Sequence, residues 1–145
     1  MSGILGTRAS LLYDINLLLQ IATLLLLVLG YKYVKDNKLR RHGLTMAVAT
    51  ILHTSSVLLI MVPSFIAYFG ILIGDFRNLG VIITWIHAVV GILTMMFGIY
   101  LVAIWRFQPP ARMICARKKW LMRPTLALWA FALILGITFY AYYYL

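Results

Sequence analysis

Acid is almost missing from this chain. Its 145 residues include only three aspartates, Asp14, Asp36 and Asp75, against 13 lysines and arginines. Without paired carboxylates, general acid–base chemistry between two acids and an acidic magnesium cluster are both excluded. A Ser-His-acid set and a glycine-rich phosphate loop are also absent, so no hydrolytic or transfer site is visible and the chain does not read as catalytic on its own. Cysteine is equally scarce. The single Cys115 allows no internal disulfide and has no zinc or c-type haem spacing around it. Placed near Arg112 and Arg117, it reads as a juxtamembrane thiol or an acylation site.

Charge of either sign is rare over most of the length: 11% of residues are charged and 64% are hydrophobic, with a mean hydropathy of +0.98. A soluble domain of this size has no means of hiding so much apolar surface, so lipid is the expected solvent. The net charge of +10 comes mainly from two short segments. Such clustering is a topology signal and not a nucleic-acid footprint, and no nucleic-acid partner is expected.

Four runs are long enough to cross the ~20-residue hydrocarbon layer: roughly Leu11–Tyr33, Gly43–Phe69, Leu79–Trp105 and Pro124–Tyr144. They lack the alternation of barrel strands, and lipid leaves helices as the remaining way to satisfy the backbone. The first run is preceded by Arg8 alone and followed by no small-x-small site, so it reads as a retained helix and not a cleaved leader. The expected fold is an all-α, single-domain antiparallel bundle of four transmembrane helices. Gln108-Pro109-Pro110 should end helix three, Pro124 should open helix four, and Pro63 should kink helix two.

Orientation follows from the loops. The first carries Lys32, Lys35, Lys38, Arg40 and Arg41, and the third carries Arg106, Arg112, Arg117, Lys118, Lys119 and Arg123. The middle loop has only Asp75 and Arg77. The positive-inside rule therefore predicts loops one and three in the cytoplasm and both termini outside.

Helical phase places the polar residues. His42, Met46, Ala49, His53, Ser56 and Ile60 share one face of helix two, while Thr50, Thr54 and Ser55 are expected off it. Gly80, Thr84, His87, Gly91, Thr94 and Gly98 form a stripe on helix three whose glycines admit a close neighbour or a flat ring. Asn16, Gln20 and Thr23 form a third stripe, on helix one. These seams should face the bundle interior.

An intramembrane histidine is a functional candidate in its own right. For His53 and His87 three roles compete: haem or metal ligation, hydrogen bonding across the seam, and proton handling, the last lacking a buried acid as relay partner. His42 is a further candidate at the basic edge, where a haem propionate or a lipid headgroup also fits. Depth argues against a simple pair. His53 lies 12 positions past Arg41, roughly 18 Å into its helix, and His87 lies 19 before Arg106, roughly 28 Å from the same side. The two are thus offset by roughly 10 Å. Met95 or Met96 is nearer His53 in depth, and Met61 nearer His87.

Several motifs together carry a family resemblance: Asp14-Ile15-Asn16-Leu17, Leu29-Gly30-Tyr31, the Lys38–Met46 stretch with its His-x-x-x-Met, His87, Arg123-Pro124-Thr125, Trp129 and Gly136-Ile137-Thr138. Over most of its length the chain resembles a family of small four-helix membrane proteins of bacteria and archaea of unknown function. Some bacterial members are associated with maturation of haem-copper cytochrome oxidases. The resemblance implies an accessory protein of a respiratory or redox system in a prokaryotic plasma membrane. Joined to the reading of the intramembrane histidines, it gives a protein that holds or hands over b-type haem, with His53 and His87 as the first candidate ligands and His42 next. His42 and His87 match family positions, whereas His53 takes a position more often small or polar. The chain departs from the pattern at the Pro63 region and at Cys115–Lys119, where the family tends to carry histidines. The alternative is a cofactor-free assembly or structural subunit that packs its small-residue seam against another membrane protein or a second copy.

Overall fold

The computed structural model describes residues 4–107 and 111–145, with side chains in the last segment described from Arg117 onward. The side chains of Cys115 and Arg112, and the expected helix-ending Gln108-Pro109-Pro110 segment, therefore lie outside what is described. Among the described residues the chain is helical and has no strand. Four helical stretches are long and apolar enough to span a membrane: Leu11–Lys35, Leu39–Ala67, Leu79–Phe107 and Arg117–Tyr144.

Helix α1 covers Leu11–Lys35 and α2 covers Leu39–Ser56. A π turn, Val57–Met61, leads into the short α3, Val62–Ala67, and α4, Phe69–Gly74. The last two helices are α5, Leu79–Phe107, and α6, Ala111–Tyr144. α1 packs on α2 and α6, and α5 packs on the same two, so the chain runs up and down around a square and closes it with its first and last helices. Short connections between sequential helices lead to this arrangement.

The bundle is polar or small inside and apolar outside. Leu25, Val28, Ile51, Leu59, Val89, Met96 and Ile134 are exposed, whereas Asp14, Gln20, Thr23, Thr50, His53, Ser56, Thr94 and Thr125 are buried. In lipid the exposed leucines cost nothing, so association rests on close packing and interhelical hydrogen bonds. Leu27, Ala49, Trp129 and Leu133 form the apolar centre, with Met46 and Leu126 against it.

Three boundaries differ from the sequence expectation. α2 begins at Leu39, because Lys38–His42 already bonds as a helix (His42 N–H to Lys38 O, 2.9 Å). Pro124 does not open the last helix but lies inside α6, which starts at Ala111. A proline there leaves the Trp120 carbonyl without its helical donor, and both residues are exposed on the basic part of α6, where water and headgroups can satisfy it. Near Pro63 the helix answers the missing N–H with a π turn, closed by Val62 N–H on Val57 O.

At the end opposite the basic loops, the segment before α1 folds back onto Asp14. Leu5 N–H donates to Asp14 Oδ2 at 3.0 Å and the Tyr140 hydroxyl donates to Oδ1. The Thr7 hydroxyl sits 2.8 Å from that of Tyr140. This clasp joins the chain's start, α1 and α6 through one fully covered carboxylate. At the same end, Trp85 donates its indole N–H to Leu72 O at 3.1 Å and meets Phe65 edge-on at 5.1 Å, which fixes α4 against α5.

Candidate functional site

A cavity of about 540 Å³ opens at the basic end between α2, α5 and α6, with the close of α1 at its mouth. That volume lies in the range of small-molecule and cofactor sites. Lys35, Asn37, His42, Trp105, Lys119 and Arg123 line its outer part; Met46, Thr50, Gly98, Leu126 and Trp129 line its depth. From His42 to Thr50 is eight positions of helix, so the cavity runs ~12 Å along the bundle.

Glycine shapes it. A Cβ on Gly43 would fall 2.0 Å from Cε2 of Trp105, so only glycine lets that indole lie against α2. At Gly98 a Cβ would meet Thr50 Oγ1 and the Trp129 ring at 3.4 Å. The Cys-free, acid-free lining is donor-rich. Thr50 and Thr125 spend their hydroxyl protons on Met46 O and Leu121 O, at 2.8 and 2.7 Å. The indole N–H groups of Trp105 and Trp129 are buried and find no acceptor among the described residues. An unmet buried donor costs about 1–3 kcal/mol, so a bound acceptor at either indole would recover free energy.

His42 has a defined tautomer. Its Nδ1 lies 2.8 Å from Gly30 O. A ring nitrogen bonds a carbonyl oxygen only as a donor, so Nδ1 carries a proton, and in the neutral ring Nε2 is the nitrogen with the lone pair. Backbone-carbonyl fixation of one nitrogen is the usual preparation of a histidine that ligates through the other.

The other two candidate ligands are placed elsewhere. His53 is buried at mid-bundle, Nε2 3.3 Å from Gly91 O and 3.5 Å from Thr94 Oγ1, while Thr94 itself donates to Gly91 O at 2.9 Å. Its ring lies 5.3 Å from that of Trp129, which separates it from the cavity. His87 is half-buried, beside the Ala132 carbonyl, with a buried Nδ1 that has no partner. His53 thus meets α5 at Gly91, four positions or ~6 Å from His87, so the two imidazoles are staggered along the bundle. A Cβ on Gly91 would meet nothing within 4 Å, which leaves open space beside the His53 contact.

Of the three histidines, only His42 lines the cavity. The pattern reading of α2 placed Thr50 off the buried face, yet it is buried against Gly98, because α2 is enclosed by α1 on one side and α5 on the other. From the sequence, Trp105 stands only as the end of the third span, Trp129 as part of the resemblance, and Lys119 and Arg123 as loop charges; a helix beginning at Ala111 is what brings the two cations to the cavity. Among the described residues no group of three or more His, Cys, Asp or Glu side chains is assembled. Set against known protein families, curated proteins and solved structures, the chain matches none.

Proposed function

We propose that this protein is an accessory integral membrane protein of a respiratory or redox system, and that it holds b-type haem in the basic-end cavity with His42 as the iron ligand. The observation that carries the reading is the His42–Gly30 hydrogen bond: it engages Nδ1 and leaves Nε2, the ligating nitrogen of the neutral ring, uncommitted on a residue that lines a cavity of cofactor size. When bound, haem would supply one-electron chemistry. The protein's part is to bind it, orient it and shield it from water. Trp105, Trp129, Leu101 and Met46 offer an apolar wall for a flat ring.

A single histidine makes a weaker hold than two. That suits a protein that receives and passes on its haem better than one that keeps it. The basic loops face the cytoplasm in this reading, so the cavity opens there. His53 and His87 then serve the bundle: His53 ties α2 to α5 through Gly91 and Thr94, as the hydrogen-bonding role requires.

The test is a haem titration of the detergent-solubilised protein, followed by absorbance before and after dithionite. A Soret band that saturates near one haem per chain and is lost in His42→Ala is expected. A spectrum that stays that of free haem throughout the titration, with protein colourless once free haem is removed, rejects the proposal and leaves the cofactor-free assembly subunit.

A further inference from the structure

We infer that the mouth of this cavity is a carboxylate-recognition site, in which Arg123 and Lys119 select porphyrins that carry free propionates over neutral ones. The inference rests on the haem reading above and assigns the group that selects the ligand.

Three observations support it. First, Arg123 and Lys119 stand one helical turn apart on α6 and line the same cavity as His42, with Lys35 of α1 beside them. A guanidinium presents a planar fork to a carboxylate, and a neighbouring ammonium adds a second cation. Second, no carboxylate in the lining answers them: none of the residues around the cavity is an acid, and the Lys35 ammonium lies over the Tyr31 ring at 5.0 Å. Third, the neutral donors are also unanswered. Trp129 is 1% exposed, yet its indole N–H has no acceptor among the described residues, and the same holds for the buried N–H of Trp105. A site with spare donors, three cations and no carboxylate of its own calls for an acceptor-rich anionic group on an apolar body.

Depth orders the parts. Arg123 and Lys119 lie towards the start of α6, whereas Trp129 lies six positions further in, ~9 Å from Arg123 along the axis. An amphiphile therefore enters with its apolar body inward and its charged edge at the basic end.

The experiment compares haem b with its neutral dimethyl ester in the full-length, delipidated protein, each titrated by Soret absorbance. Arg123→Gln and Lys119→Gln are run beside the parent; both residues are exposed, and helicity by circular dichroism checks their folding. The parent should prefer haem b, and the preference should shrink by ~tenfold in Arg123→Gln, the scale of one charge-assisted hydrogen bond. His42→Ala should weaken both porphyrins alike. If both bind the parent but the preference is the same in parent and variants, the carboxylate site is overturned while the haem reading stands. If neither binds, the haem reading fails and this inference with it. Displacement of both porphyrins by phosphatidylglycerol, abolished in Arg123→Gln, would assign the cations to a phosphate headgroup and overturn the carboxylate assignment.

Discussion

The Tyr140 hydroxyl donates to Oδ1 of Asp14, joining the last helix to the first at the end furthest from the cavity. Asp14 is one of only three acids in the chain and is fully covered, held also by the Leu5 amide. A buried carboxylate needs its donors. Tyr140→Phe should therefore lower the thermal unfolding midpoint in detergent. Tyr142→Phe should leave the midpoint unchanged, because Tyr142 is 81% exposed and makes no comparable bond. Equal midpoints for the two variants would show that the clasp does not hold the bundle.

Glycines of this bundle should respond to alanine with opposite signs. A Cβ on Gly136 would lie 2.4 Å from Oε1 of buried Gln20, so Gly136→Ala overpacks α1 against α6 and should cost about 1–3 kcal/mol. Replacing Gln20 by alanine in the same chain should recover part of that loss. At Gly91 the added methyl meets nothing within 4 Å, so the gain in helix propensity, up to ~1 kcal/mol, should show as stabilisation. Urea or thermal denaturation of the three variants measures both signs.

His53 and His42 should separate cleanly. His53→Ala removes the contact to Gly91 and Thr94 beneath Trp129 and should destabilise the protein by about 1–3 kcal/mol. Haem affinity should stay within about twofold of the parent, since the cavity lining is intact. Loss of the Soret band in His53→Ala or His87→Ala, with His42→Ala unaffected, would move the site to mid-bundle.

Orientation has its own check. In a Cys115→Ser background, a cysteine at exposed Asn37 should react with a membrane-impermeant maleimide only after the cells are opened. A cysteine at exposed Asn78, at the opposite end, should react in intact cells. The reverse pattern would place the cavity mouth outside.

Much of the architecture could be read from residue order. Three acids and long uncharged runs left no soluble option, and hydropathy located four spans to within a few residues at most ends. The polar stripes of α1 and α5 were legible because a 3.6-residue period is a local property. His42, His53 and Ser56 were correctly placed together on the inner face of α2 for the same reason. Pro124 was misread because a proline's local preference for a first turn says nothing about whether an exposed stretch inside a helix can tolerate the lost bond.

The site depended on contacts between distant residues. The sequence by itself determined the solvent, the number of spans and the polar stripes of the first three, because these follow from hydropathy and period along one stretch of chain. Only the tertiary structure decided which histidine meets a cavity. His42 reaches its proton acceptor across the loop at Gly30, Trp105 is admitted by the missing Cβ of Gly43, and Arg123 arrives from a helix that begins before its proline. Each depends on how closely two helices approach, and that distance is set by packing and not by any local pattern.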